Sequence, residues 1–177
     1  DHLPVLIHQL KRLDQDSTRK KHLGDVIAAA DRVIGQIDTK ALREHYGANL
    51  DPDDEAAAKV RKEMDRQKPI LADALYLKGR AIAYAEDMIL RVKEAAKVPA
   101  DQKPKAETAE VPPKLERRAF EKNFRELGKW VNTTDDAYVL LHIRHDRRQR
   151  RFASGLKLLE ARMAKMALPD KKYLDKR

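Results

Sequence analysis

Apolar residues recur at steps of three and four along most of this chain, the spacing that places side chains on one face of an α-helix. The clearest series is an almost unbroken row from Leu23 to Ile37. The densest stretch runs from Met64 to Glu86 and combines an apolar row with alanines and a glycine that would let another helix approach closely. The pattern predicts an all-α fold of consecutive helices.

Pro69 lies between two stretches of helical pattern. Proline lacks the amide that would donate to the Asp65 carbonyl, and it is well tolerated in the first turn of a helix. We therefore predict that a polar helix over 54–68 ends at this point. A central helix should then begin at Pro69 and continue to about residue 97.

The segment 98–113 contains four prolines, many charged side chains and almost nothing to bury, which is typical of a flexible linker. We predict a helical repeat segment over 1–97, this linker, and C-terminal helices over 114–177 that pack on the first segment. Short connections favour stacked antiparallel helix hairpins. The sequence ALYLKGRAIA, from Ala74 to Ala83, has the spacing of a tetratricopeptide first helix, although the full repeat does not recur. We expect a short, tetratricopeptide-like solenoid.

The last long helix carries an apolar row at steps of four, three, four and three, the narrow spacing that suits an antiparallel partner helix. We call this row the apolar seam and predict that it is an interface, although a core row would look the same in sequence. The members of the apolar seam are Phe152, Leu156, Leu159, Met163 and Met166.

Composition narrows the class of protein. Of the 177 residues, 38 % are charged and only 5 % are aromatic, which favours helix over strand. The net charge of +9 raises the odds of an acidic partner, but it is interleaved with 29 acidic residues, as on solvated helix faces. The absence of cysteine excludes disulfides and thiolate metal sites.

The chain begins with Asp1, and its first residues resemble the middle of a helix, so we expect a piece of a larger protein. No apolar run approaches the ~20 residues that span a bilayer, and no signal-peptide pattern opens the chain. We expect a soluble chain with no membrane partner.

We find no residues arranged for catalysis, cofactor binding or metal binding. The two serines, Ser17 and Ser154, lack the glycine-flanked turn of a nucleophile elbow, and no glycine-rich phosphate loop is present. His142 and His145 lie one helical turn apart, but no third metal ligand can be placed beside them. We expect two partly exposed helix histidines, no cofactor and no catalytic residue.

The strongest local charge is the run RHDRRQRR from Arg144 to Arg151. It predicts a candidate anion patch, which we call the arginine cluster, formed by Arg147, Arg148, Arg150 and Arg151. Such a patch could bind phosphates with a steep salt dependence. The alternative is a helix junction with solvated arginines, some of them paired with acidic neighbours. Aromatic residues are not interleaved with the arginines, so the run does not favour nucleic acid as a partner.

Several short sequences together resemble the C-terminal region of the tripeptidyl-peptidase II family. The resemblance rests on RLD at Arg12–Asp14, on MDRQK and the following L.DAL..KG between Met64 and Gly79, on Lys129–Trp130, on His145, and on GLK at Gly155–Lys157. It covers most of the chain except the linker.

The resemblance implies a helical, tetratricopeptide-like segment of a very large cytosolic peptidase. That family removes tripeptides from the free N-termini of oligopeptides and assembles as stacked dimers. Its Asp, His and Ser triad lies in a subtilisin-like domain that is absent here, so no catalytic residue carries over.

Our hypothesis is a non-catalytic scaffold or assembly segment. Its partners would be the remainder of the same polypeptide and further copies in a cytoplasmic homo-oligomer. Two alternatives stay open: a free-standing helical-repeat adaptor for proteins or peptides, and a basic helical nucleic-acid-binding module.

Overall fold

The structure, a computed structural model, describes residues 2–16, 22–46, 54–99, 111–131 and 136–166. Within these ranges the chain forms seven helices and no strand, which confirms the prediction of an all-α fold. None of the helices in the described ranges is both long enough and apolar enough to cross a membrane. The helices are α1 (Leu3–Asp16), α2 (Leu23–Gly35), α3 (Thr39–Tyr46), α4 (Glu55–Ala96), α5 (Ala119–Leu127), α6 (Asp136–Arg148) and α7 (Phe152–Met166).

The chain divides into two compact units, Asp1–Trp130 and Val131–Arg177. The first unit contains α1 to α5 and the second contains α6 and α7. This division differs from the predicted segments, because α5 packs on α4 and so joins the first unit, although it follows the predicted linker.

The prediction that a helix restarts at Pro69 is wrong, because α4 is one continuous helix of 42 residues with Pro69 inside it. Pro69 and Asp65 both lie on the exposed side, so the Asp65 carbonyl that loses its amide partner can be hydrated. On the opposite side Met64 and Leu71 are both buried. Packing on that side continues past the proline and holds the helix together.

The core of the first unit forms where α2 packs against the middle of α4, with α1 beside both. Val26, Ala30 and Val33 of α2 are fully buried, as are Ala74 and Ala85 of α4. The small side chains let the helix axes approach closely, and burial of the apolar rows stabilises the unit by ~25 cal/mol per Å² removed from water.

Ion pairs join α4 to α1 and α2 at the edges of their buried faces. Lys78 Nζ lies 2.5 Å from the Asp31 carboxylate, and Lys11 Nζ lies 2.5 Å from that of Asp73. The Arg80 guanidinium of α4 pairs with the buried Asp14 carboxylate of α1. Burial raises the pKa of Asp14 above its ordinary value, although the charge and hydrogen bond of Arg80 act in the opposite direction.

The helix α5 covers another part of α4. Phe120 is fully buried and stacks on Phe124 with ring centroids 5.6 Å apart. The buried side chain of Asn123 donates a 2.8 Å hydrogen bond from Nδ2 to the carbonyl of Leu75 in α4. The Asn123 hydrogen bond therefore joins α5 directly to α4, while the two aromatic rings stack on each other within α5.

A cluster at the end of α5 ties α3 to this unit. Arg43 of α3 pairs with Glu126 and lies over the ring of Trp130, with 5.6 Å between the guanidinium carbon and the ring centroid. The indole Nε1 of Trp130 donates to Glu126 at 3.1 Å. Burial alone would raise the pKa of Glu126, but hydrogen bonds from Lys129, Trp130 and Arg43 outweigh it, so the pKa is lowered.

Most of the predicted linker, residues 100–110, lies outside the described residues. Its C-terminal end approaches the start of α2, where a Cβ placed on Gly24 would lie 3.6 Å from the Cβ of Pro113. Flexibility of the 98–113 segment therefore stays a prediction.

Candidate interaction surface of the α6–α7 hairpin

Both sets of residues that the sequence singled out lie in the second unit, where α6 and α7 form a helical hairpin. Three residues connect the helices, and Arg150 among them is left-handed, with φ of 57°. Its amide donates to the Arg147 carbonyl at 3.1 Å, and the Arg151 amide donates to the Asp146 carbonyl at 2.7 Å. These two bonds form a Schellman motif, in which a glycine normally occupies the left-handed position.

The two helices approach closely at the buried Gly155 of α7. A Cβ at this position would lie 3.6 Å from the Cβ of Asp146 and 3.8 Å from the carbonyl oxygen of Ile143, both in α6. A methyl group would make ordinary van der Waals contact there, whereas a side chain that extends beyond Cβ would press on α6, so a small residue at position 155 suits this close approach.

A buried polar cluster lies beside the turn. His145 and Asp146 are each only 1 % exposed. The Arg151 guanidinium donates to Asp146 Oδ1 at 3.0 Å and to His145 Nδ1 at 2.9 Å. Because a guanidinium can only donate, His145 Nδ1 is the acceptor and the ring proton lies on Nε2. His142 Nδ1 lies 3.6 Å from Asp146 Oδ2.

The expectation of two partly exposed histidines is therefore wrong for His145, which is buried against its own turn. The arrangement ties the residues after α6 back onto α6. In the described part of the chain, no group of three or more His, Cys, Asp or Glu side chains is placed to hold a metal ion. The cluster positions the turn. The Arg151–Asp146 pair agrees with the alternative of a helix junction in which some arginines pair with acidic neighbours, whereas the burial of His145 was not predicted.

The four residues of the arginine cluster differ in their burial and contacts. Arg151 is committed to Asp146 and His145, whereas Arg147 and Arg150 are exposed and Arg148 is half-buried. All four residues lie at the turn end of the hairpin. Residues 136–166 contain eight basic and three acidic side chains, a net charge of +5. The assignment of the cluster as an anion patch stays a prediction.

Four members of the apolar seam are exposed on α7. The exposed fractions are 64 % for Phe152, 56 % for Leu156, 41 % for Leu159 and 59 % for Met163. The side chain of Met166 lies outside what the structure describes. The seam begins at Phe152, directly after Arg151, so an apolar strip and a basic end adjoin. Its assignment as an interface stays a prediction.

The first unit contains a groove of about 470 Å³. It lies between α1 and α4 and is lined by Lys11, Asp14, Tyr76 and Arg80 among others. Its charged side chains are engaged across the groove, Lys11 with Asp73 and Arg80 with Asp14. These pairs join two helices, and we assign the groove no ligand.

Comparison with known proteins finds three similar sequences. The chain is 33 % identical over 159 residues to a protein of Oryza sativa subsp. japonica named Tripeptidyl-peptidase 2, a match that covers 88 % of this chain. The protein of the same name from Arabidopsis thaliana is 30 % identical over 163 residues, 90 % of this chain. The one from Drosophila melanogaster is 40 % identical over 70 residues, 40 % of this chain.

These matches confirm the resemblance inferred from the sequence: the chain is similar, over about nine-tenths of its length, to part of tripeptidyl-peptidase 2. The chain spans only about a tenth of the length of these two plant relatives. No protein-family model matches the chain. No solved structure matches it.

Proposed function

We propose that this chain is a non-catalytic scaffold segment from the C-terminal region of a tripeptidyl-peptidase II-type enzyme, which releases tripeptides from the N-termini of oligopeptides. The observation that carries the proposal is the similarity to two relatives of that name along nearly the whole chain. Because the match takes up about a tenth of each relative, the peptidase chemistry is assigned to the rest of the polypeptide.

The geometry supports a structural role. The helices of the first unit are joined by apolar rows, by ion pairs such as Arg80–Asp14, and by the Asn123–Leu75 hydrogen bond. The most distinctive polar cluster of the second unit, around Asp146, fixes a helix turn. We propose that the helices stack as tetratricopeptide-like hairpins, that the segment supports a cytoplasmic homo-oligomer, and that its isolated form is catalytically inert.

The experiment is to size the native particle that carries this segment. A cell extract prepared under non-denaturing conditions is fractionated by size, and the chain is detected in the fractions with an antibody. The same fractions are assayed for release of N-terminal tripeptides. We expect the chain to co-elute with activity in a particle much larger than its own 20.4 kDa. A small species without activity would contradict the proposal and favour the adaptor.

The adaptor remains the second candidate because of one observation, the exposed apolar seam on α7. It predicts that the chain binds a peptide saturably and also elutes as a small species without tripeptide-releasing activity. The nucleic-acid candidate is weaker, because Arg151 of the arginine cluster is engaged by Asp146 and His145.

A further inference from the structure

The exposed strip of α7 has the geometry of one side of a coiled coil. Phe152, Leu156, Leu159 and Met163 follow each other at steps of four, three and four, the spacing of d and a positions in a heptad repeat. At about 100° per residue, the four side chains lie within an arc of roughly 60°. The arc is centred roughly 70° away from Gly155, the residue that contacts α6. The strip therefore lies beside the α6 contact and not within it.

The width of this strip favours a helix over a lipid surface. A helix that rests on a membrane presents a broad apolar face bordered by basic side chains. Here the arc is narrower than the ~100° stripe of an ordinary surface helix, and Glu160 lies at its edge. A narrow row at heptad spacing fits the knobs-into-holes packing of a single facing helix.

Charge then decides which helix fits. The turn end of the strip adjoins the exposed Arg147 and Arg150. A second copy of α7 in the parallel direction would bring these basic ends together. With a net charge of +5 on residues 136–166, self-pairing is opposed and an acidic helix is favoured.

We propose that the exposed strip of α7 docks one amphipathic helix of acidic character, with apolar residues at heptad spacing and Asp or Glu beside them. This partner deepens the proposed scaffold function, on which it rests, by giving the chemistry of the helix that the scaffold receives. The exposed Arg147 and Arg150 then help to select and orient the helix by charge, while the four apolar side chains supply the buried area.

The test uses the full 177-residue chain and a fluorescently labelled synthetic peptide of about three heptads, with Leu at a and d and Glu at e and g. A matched peptide has Lys in place of every Glu. Binding is followed by fluorescence anisotropy at low and at high salt. We expect the Glu peptide to bind at least roughly tenfold more tightly than the Lys peptide, with a preference that shrinks in high salt.

Variants locate the site. Leu156→Glu should weaken binding of the Glu peptide by at least about tenfold and leave the helicity unchanged, because the side chain is more than half exposed. Ala161→Glu adds the same charge on the opposite, exposed side of α7 and should leave affinity nearly unchanged. Should Leu156→Glu unfold the hairpin, Phe152→Glu, at the most exposed position of the strip, repeats the measurement.

Several results would overturn the proposal. Equal affinity for the two peptides would remove the charge argument, and binding insensitive to the strip variants would place the peptide elsewhere. Self-association of the chain that Leu156→Glu abolishes would identify a second copy as the occupant. Capture by vesicles containing phosphatidylserine, lost in the same variant, would identify a lipid surface.

Failure here is distinguishable from failure of the proposed function. If the chain co-elutes with tripeptide release but prefers neither peptide, the scaffold stands and the acidic helix is wrong. If the Glu peptide binds but the chain is absent from the active particle, the scaffold assignment fails.

Discussion

Substituting Arg80 by Met should cost this protein stability in a way that depends on pH. Arg80 pairs with Asp14, whose side chain is only 8 % exposed, while that of Arg80 is 32 % exposed. Removing one partner of a fully buried ion pair costs ~3–5 kcal/mol, because the other charge stays buried. Since Arg80 is a third exposed and screened by water, we reduce this to ~2 kcal/mol near pH 7.

The sign of the pH dependence follows from Asp14. Burial holds the folded-state pKa of Asp14 above its unfolded value, and Arg80 opposes that shift. The contribution of Asp14 to stability is therefore fully present below its unfolded pKa and is lost as the pH rises through the folded pKa. In Arg80→Met the folded pKa rises further, so this loss grows. The difference between the variant and the parent should be largest near neutral pH and shrink on acidification to about pH 4.

Trp130 supplies the assay. It is the sole tryptophan of the sequence, it is buried, and it belongs to the same compact unit as the ion pair. Urea unfolding followed by its fluorescence gives the free energy of unfolding at each pH. Lys11→Met is the matched control, because the Lys11–Asp73 pair joins the same two helices with about half of each side chain exposed.

The control should cost less than ~0.5 kcal/mol at either pH. An Arg80→Met cost as small as this, or equal at pH 4 and pH 7, would refute the reasoning that a buried carboxylate depends on Arg80.

Three further predictions concern backbone positions. Pro69→Ala should raise the free energy of unfolding by ~1–3 kcal/mol in the same urea assay, because it restores a backbone amide in the middle of α4. An unchanged free energy of unfolding would mean that Pro69 causes no strain. Arg150→Gly should raise the melting temperature measured by circular dichroism, because glycine relieves ~1 kcal/mol of left-handed backbone strain at this position. The control Arg147→Gly, within α6, should lower the melting temperature. A lower melting temperature for both variants would refute the assignment of a Schellman motif. Gly155→Ala should be tolerated, because its Cβ would lie 3.6 Å from that of Asp146, whereas Gly155→Leu should push α6 and α7 apart and lower the melting temperature. Equal melting temperatures for the two variants would contradict the close approach of the helices.

The sequence predicted which residues form helices more reliably than where helices end. The apolar period identified the row of α2 and the core of α4, since burial of such a row requires the helical spacing. It failed at Pro69 because a lost hydrogen bond is a local cost, whereas the packing that outweighs it comes from residues far apart in sequence. Met64 and Leu71, seven positions apart across the proline, carried that signal.

The sequence identified the notable residues of the α6–α7 hairpin but not the role that each of them has. The apolar seam and the arginine cluster were both recognised, yet a pattern cannot say whether an apolar row faces the core or solvent. The burial of His145 and the engagement of Arg151 depend on a turn that reverses the chain at a non-glycine residue. The sequence suggested a helix junction at this run but not its geometry, because Arg150 occupies the place where a glycine would have marked the turn.

The alanine-lined middle of α4 also has a consequence for how this protein can drift through neutral mutation. Ala74 and Ala85 are fully buried, and in a close-packed interior each added methylene forces its neighbours aside at ~1–3 kcal/mol. A combinatorial library over α4 that is selected for folding should return Gly, Ala and Ser at these positions and almost nothing larger. Exposed positions such as Asp65 and Pro69 should accept most residues. Divergent copies of this segment should therefore remain recognisable by the volumes of a few side chains long after their surface charges have been exchanged.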